Sequence, residues 1–204
     1  MTPQTVDLPP LSLRADVGTI NEEKRTVDLV FSTGAAVERY DFWSDKRYRE
    51  ILQITPQAVR LARLNAGAPL LDAHMAYSVA TMLGAVEPGT ARIEKGQALA
   101  TVRFSKRADV EPVWQDVRDR ILRSVSVGYR VYRFEETEGD TKIPTRTATD
   151  WEPFEISMVP MPADVGAKVR HGDRHVSNPC LIVRSATVTD ADRSRWLELL
   201  RARQ

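Results

Sequence analysis

Cysteine is almost absent: among 204 residues there is one, Cys180. A single thiol excludes an internal disulfide framework and any multi-cysteine zinc or iron–sulfur site, and it fits a reducing compartment. An excess of one charge is absent too. The 29 Lys and Arg against 28 Asp and Glu leave a net charge of +1, which removes the bulk electrostatic case for a nucleic-acid partner or an anionic membrane surface. No run nears the roughly 18 apolar residues of a membrane span. Residues 1–10 carry neither a basic start nor an apolar stretch, so no secretory signal is expected. There are only three histidines, which makes the search for acid–base chemistry short. What is present, 42% hydrophobic and 28% charged residues, suits a globular chain with one core of ordinary size.

Punctuation and periodicity organise the chain. Pro3, Pro9 and Pro10 mark an extended lead-in. Strands are expected over 11–17 and over 26–31, where Val27, Leu29 and Phe31 alternate before the Ser32-Thr33-Gly34 turn. Further short strands are expected over 78–83, 84–87, 91–95 and 98–104, separated by the turn signals Glu87-Pro88-Gly89 and Lys95-Gly96-Gln97. Residues 124–134 and 154–159 complete the set, the last stopped by Pro160 and Pro162. Residues 135–149 are polar and read as a loop or loose hairpin. Three helices are expected. The first is 55–67, with Thr55 as cap, Pro56 in the first turn and Gly67 as the stop. The second is 109–122, striped by Val110, Val113, Trp114, Val117 and Ile121, and the third is 188–203, striped by Trp196, Leu199 and Leu200. Closely spaced strands joined by tight turns predict antiparallel β structure closing into a barrel or sandwich.

Three places hold chemistry. His74 ends the run Pro69-Leu70-Leu71-Asp72-Ala73-His74, where an extended backbone would put Asp72 and His74 on one face. In Ser124-Val125-Ser126-Val127-Gly128-Tyr129, two hydroxyls share a strand face and Gly128 lets another chain or a substrate come close. In Trp151-Glu152-Pro153-Phe154-Glu155-Ile156-Ser157, Glu155 is an acid inside an apolar strand and Ser157 has the same facing. Each also has a plain structural reading: a hydrogen-bonded histidine, a solvent-facing strand, an edge strand with its polar side outward. Together they supply a base, a hydroxyl nucleophile and an orienting acid, the inventory for acyl transfer. His171 and His175 stand at i, i+4, but Gly172 lies between them and no carboxylate or cysteine completes a close set, so they read as solvated linker histidines rather than a metal site.

Three blocks, Leu70-Leu71-Asp72-Ala73-His74, Ser124-Val125-Ser126-Val127-Gly128-Tyr129 and Glu155-Ile156-Ser157-Met158-Val159-Pro160-Met161-Pro162-Ala163, with the early Val30-Phe31-Ser32-Thr33, carry a family resemblance. The chain resembles the prohead (capsid maturation) serine proteases of tailed bacteriophages, whose fold is similar to herpesvirus assemblin. The resemblance covers residues 20–170. It implies an α+β, mainly β fold: an antiparallel closed β-barrel flanked by helices. The chain then divides into an extended N-terminal segment (1–19), a protease domain (20–170), and a linker with a C-terminal amphipathic helix (171–204), which reads either as docking the enzyme into the shell or as packing on its own domain.

The implied activity is a serine endopeptidase needing no cofactor. It cleaves scaffold and major capsid protein segments, and itself, inside the procapsid in the bacterial cytoplasm. Ser126 is implied as nucleophile, standing before a hydrophobic residue, glycine and an aromatic, and His74 as base. Glu155 is implied as third member, with Asp72 and His171 as alternatives. The turn from Met158 to Ala163 is a candidate source of oxyanion-binding amides. Scaffold and capsid protein are the expected partners, with portal and a second copy of the chain as further ones and neither nucleic acid nor membrane among them. The competing reading is a non-catalytic scaffold or shell protein of the same fold.

Overall fold

Strands dominate the chain, and alternation explains most of them. A computed structural model describes residues 4–8, 11–41, 45–138, 143–160 and 178–184. In chain order the elements are β1 (Gln4–Leu8), β2 (Leu11–Asn21), β3 (Thr26–Ser32), β4 (Val37–Asp41), β5 (Lys46–Leu52), α1 (Ala62–Asn65), β6 (Pro69–Asp72), a 3-10 turn (Val79–Thr81), β7 (Met82–Val86), β8 (Arg92–Glu94), β9 (Gln97–Phe104), α2 (Glu111–Arg118), β10 (Ser124–Thr137), β11 (Thr145–Met158) and β12 (Asn178–Arg184). Along β9 the even-numbered Ala98, Ala100, Val102 and Phe104 are buried while Arg103 is exposed. Along β3, Val27, Leu29 and Phe31 do the same. These faces meet in one core with Val125, Val127, Tyr129, Trp151 and Ile156. Fully burying each large apolar side chain contributes about 1.5–3 kcal/mol. Helix α2 closes the core with Trp114 and Val117, the indole ring centroid 5.3 Å from that of Phe104. No helix among the described residues is long and apolar enough to cross a membrane.

The twelve strands form one sheet with the order β1-β12-β10-β2-β3-β9-β7-β6-β11-β5-β4, with β8 paired to β9 and β10 additionally paired to β11. This corrects the expected antiparallel closed barrel flanked by helices. The sheet is mixed rather than antiparallel, because β11 runs parallel to β5 and β6 and β10 runs parallel to β12, and its strand path ends at β1 and β4. Tight turns in the sequence signalled hairpins, and hairpins are antiparallel; pairings between strands distant in sequence leave no local signal.

The helices are shorter than expected. Only Ala62–Asn65 of the 55–67 segment is α-helical. Val59 bridges to Trp151, with Trp151 N–H donating to Ala58 O (2.9 Å) and Arg60 N–H to Trp151 O (2.9 Å). Thr55 does cap a turn, its Oγ1 accepting from Ala58 N–H (3.3 Å), but the bonds to Trp151 then pair residues 58–60 with β11 before a helix can propagate. Helix α2 likewise ends at Arg118, with Arg120 at φ +59°. Residues 178–184, within the stretch read as a linker, form β12. The expected helix over 188–203 and the histidines at 171 and 175 lie outside the described residues.

A polar cluster is enclosed in this core. Glu50 on β5 is 1% exposed. Its Oε2 accepts from Arg39 Nε (2.9 Å) and from the Tyr129 hydroxyl (2.7 Å), and Arg39 Nη2 donates to that same hydroxyl (3.1 Å). Burial, and then the nearby Glu50 carboxylate, push the Tyr129 phenol well above its ordinary pKa. Tyr129→Phe is expected to lower stability by about 1–3 kcal/mol, because a buried carboxylate and guanidinium each lose a partner. Urea unfolding checks this as a shift in midpoint at constant slope. Because the folded protein holds the phenolic proton more tightly than the unfolded chain, this contribution is complete below the unfolded phenol pKa of about 10 and is lost as pH climbs towards the folded value. The substitution is therefore expected to flatten part of the alkaline fall in melting temperature.

Candidate active site

Strands β10 and β11 are antiparallel neighbours, with Val125 opposite Met158, Ser126 opposite Ser157, Val127 opposite Ile156 and Gly128 opposite Glu155. Directly opposed residues share a face. Val125, Val127, Ile156 and Met158 therefore face the apolar core, where all four are buried. Ser126, Gly128, Glu155 and Ser157 gather on the other face. That face is buried as well: Ser126 is 1%, Glu155 4% and Ser157 0% exposed.

A bulge produces this facing. Simple alternation along β11 would put Trp151, Pro153, Glu155 and Ser157 on one side. The register slips between Gly128 and Tyr129, so that Tyr129 opposes Pro153 and Phe154 is the extra residue. Trp151 consequently enters the core, its ring centroid 5.7 Å from that of Tyr129 in an edge-on contact. Glu155 and Ser157 turn the other way. Pro153 suits the irregularity, since it lacks an N–H to give to a regular ladder.

The histidine arrives from the far side of β11. Strand β6 runs parallel to β11, with Leu71 opposite Ser157 and Asp72 opposite Met158. Immediately after it, Ala73 and His74 adopt left-handed backbone conformations at φ +45° and +64°. Two consecutive non-glycine residues there cost about 1–3 kcal/mol each. Two hydrogen bonds from β11 hold them: Ala73 N–H donates to Met158 O (3.0 Å) and His74 N–H to Ser157 Oγ (3.0 Å). The turn swings the imidazole over the polar face, where His74 Nδ1 lies 2.6 Å from Glu155 Oε1. The other carboxylate oxygen, Oε2, accepts from the Ser157 hydroxyl at 2.6 Å. The His74 side chain remains 33% exposed against 5% for Glu155.

The structure thus brings His74 and Glu155 into contact and places Ser126 opposite Ser157, the serine that bonds to both. Ser126 Oγ is buried and has no hydrogen-bond partner among the described residues. A hydroxyl left so costs about 1–3 kcal/mol, and an unsatisfied buried group in a native fold calls for an explanation. In the tautomer with its proton on Nδ1, His74 donates to Glu155 and leaves Nε2 to accept one. Asp72 stands at the end of β6 with its backbone oxygen accepting from Met75 N–H (2.8 Å), and no hydrogen bond joins its side chain to His74 among the described residues. His171 lies outside them. Of the amides expected to bind an oxyanion, that of Val159 already donates to Ser124 O (3.1 Å). Pro160 and Pro162 have none.

Sequence reasoning missed two parts of this arrangement. The clamp formed by Ser157 was visible only as an i, i+2 spacing from Glu155. The left-handed pair Ala73-His74 left no signal beyond the mild tolerance of histidine for that conformation. Gly128 was read as a place of close approach, and Glu155 makes that approach. A Cβ at position 128 would collide with Glu155 Oε1 and stand 2.9 Å from both Cγ and Cδ. Because His74 and Ser157 fix that carboxylate, Gly128→Ala is expected to cost about 1–3 kcal/mol or more by overpacking. Denaturant unfolding tests this: wild-type stability would show that Glu155 moves aside freely.

Comparison with known proteins places these residues in context. The family model described as caudovirus prohead serine protease matches residues 23–179, a stretch that includes all three blocks. Over 117 residues, 56% of this chain, the sequence is 38% identical to a protein named major capsid protein from Halomonas phage phiHAP-1. The chain covers 19% of that relative's length. No solved structure matches. A match over most of the chain, spanning the polar face of β10 and β11 and the turn after β6, shows that the chain belongs to the caudovirus prohead serine protease family.

Proposed function

We propose that this chain is a serine endopeptidase of phage head maturation, with Ser126 as nucleophile, His74 as general base and Glu155 as the acid that orients it. The observation carrying this reading is the 2.6 Å contact between His74 Nδ1 and Glu155 Oε1 beside a buried hydroxyl with no partner. In the proposed cycle Ser126 Oγ attacks the scissile carbonyl carbon as His74 Nε2 takes its proton. Glu155 holds the Nδ1–H and stabilises the imidazolium. The leaving amine takes the proton from Nε2, and water, deprotonated by the same nitrogen, hydrolyses the acyl-enzyme and restores Ser126. Nothing in this cycle calls for a cofactor. A free Ser126 hydroxyl is compatible with it, since catalytic hydrogen bonds often tighten only when substrate is bound.

The substrates in this reading are the capsid protein and scaffold segments inside the assembling procapsid, together with the chain itself. The likeness to part of a protein named major capsid protein supports it, because a protease joined to shell protein would be carried to its site of action. Portal contact and self-association would belong to the same assembly.

A second reading keeps the fold without the chemistry, as a scaffold or shell component. The 1% exposure of Ser126 and the name of that relative favour it. Co-expression with the cognate capsid protein, followed by mass spectrometry, separates the two. Wild type is expected to release defined fragments. Ser126→Ala is expected to abolish them, with a loss of up to about 10⁶-fold, while Ser124→Ala retains much of the cleavage. Equal fragment yield from Ser126→Ala and wild type would remove the nucleophile assignment and leave the shell-protein reading.

A further inference from the structure

We infer that Ser157 is a positioning residue that sets the tautomer and placement of His74 by tying Glu155 and the histidine backbone to one hydroxyl. The inference rests on the proteolytic reading for its kinetic consequence and on geometry alone for its structural one.

A serine hydroxyl has one proton to donate and lone pairs to accept. Ser157 uses both in a fixed sense. Its O–H donates to Glu155 Oε2 at 2.6 Å, and its oxygen accepts the His74 N–H at 3.0 Å. The backbone amide can only donate, so the hydroxyl proton is left to point at the carboxylate. That requires Oε2 to be an acceptor, which an ionised Glu155 provides. The remaining oxygen, Oε1, is then the one presented to His74 Nδ1 at 2.6 Å. With Glu155 ionised, both of its oxygens accept, so Nδ1 is the ring nitrogen that donates and Nε2 is the one left for proton exchange.

The same hydroxyl governs the position of the ring. The pair Ala73-His74 sits in left-handed conformations that its own side chains do not favour. One of the two bonds holding it ends on the Met158 carbonyl, a backbone group that no substitution removes. The other ends on Ser157 Oγ, so it depends on the side chain at 157. Ser157 is 0% exposed, so bulk solvent does not reach the hydroxyl. Its neighbour across the ladder is Ser126. One residue therefore touches the acid and the backbone of the base and opposes the proposed nucleophile, without itself being placed to react.

The test uses the full chain. The first readout is the low-field proton resonance of a hydrogen-bonded histidine Nδ1–H, assigned through His74→Gln. It is expected in wild type and lost in Ser157→Ala. The second is cleavage of the capsid protein. Ser157→Ala is expected to lower kcat about 10- to 100-fold, the scale of a misplaced catalytic group, with KM within about twofold, because the residue does not touch substrate. Ser157→Thr, which keeps the hydroxyl, is expected to recover the resonance and most of kcat. Should Ser157→Ala fail to fold, Ser157→Cys decides, since a thiol of similar size is a weak donor and acceptor. A folded Ala or Cys variant with the wild-type resonance and wild-type kcat would overturn the inference. If wild type itself cleaves nothing, the proteolytic reading fails separately, and the resonance still decides whether Ser157 holds His74.

Discussion

The register of β10 on β11 is the constraint on which the site depends. Facing alternates residue by residue, so a slip of one position would send Ser126 into the apolar core and bring Val125 or Val127 out beside the imidazole. Several independent contacts prevent it. Val127 and Ile156 are opposed within the core, Val159 N–H reaches Ser124 O beyond the end of the ladder, and the bulge at Phe154 lets Trp151 meet Tyr129 while Glu155 faces away. Each would be broken by the slip. The polar residues contribute little to register by themselves. It is the apolar face behind them that fixes where they stand.

The parallel neighbour supplies what the hairpin cannot. A strand pair alone could bring a serine opposite an acid, but a base on the same two strands would have to compete with them for ladder positions. Strand β6 joins β11 on its other edge and ends level with Met158. The chain must then turn, and it turns through Ala73 and His74 in conformations that cost energy. The two hydrogen bonds from β11 offset that cost, and one of them starts at the histidine itself. Strain and placement are thus linked: the conformation that points His74 at Glu155 persists only while β11 holds the turn.

How much of this could be read from residues alone follows from which interactions are local. The strands with period-two burial, such as Val27–Leu29–Phe31 and Ala98 to Phe104, were legible because alternation is a local signal. Residues 37–41 and 46–52 were missed because charged side chains crowd them: Glu38, Arg39, Arg47, Arg49 and Glu50 mask the burial of Tyr48 and Leu52. The segment 55–67 looked helical by every capping rule, yet β11 claims its middle through Val59. The mixed character of the sheet arises from parallel pairings between distant strands, so spacing pointed to a purely antiparallel arrangement instead. The polar face of β10 and β11 rests on shorter-range patterns. Ser126 with Gly128 and Glu155 with Ser157 are i, i+2 pairs, and shared facing follows from the pleat. The fold had to bring those pairs face to face and swing His74 over them, and no local pattern states that.

Two acids buried in this sheet, among the described residues, differ in the partners that hold them. Glu50 is enclosed with Arg39, whose charge is permanent, and with Tyr129, whose phenol burial keeps protonated. Every partner of that carboxylate holds its proton, so the cluster can stabilise the sheet but has nothing to pass on. Glu155 is buried to a similar degree, yet its partner is an imidazole, the side chain that exchanges a proton most readily near neutral pH. That ring keeps a third of its side-chain surface exposed and has a second nitrogen not bound to the acid. What separates the two sites is the partner's freedom to gain and lose a proton, together with a route for that proton outward. Among the described residues, the polar face of β10 and β11 is thus where a buried carboxylate meets an imidazole.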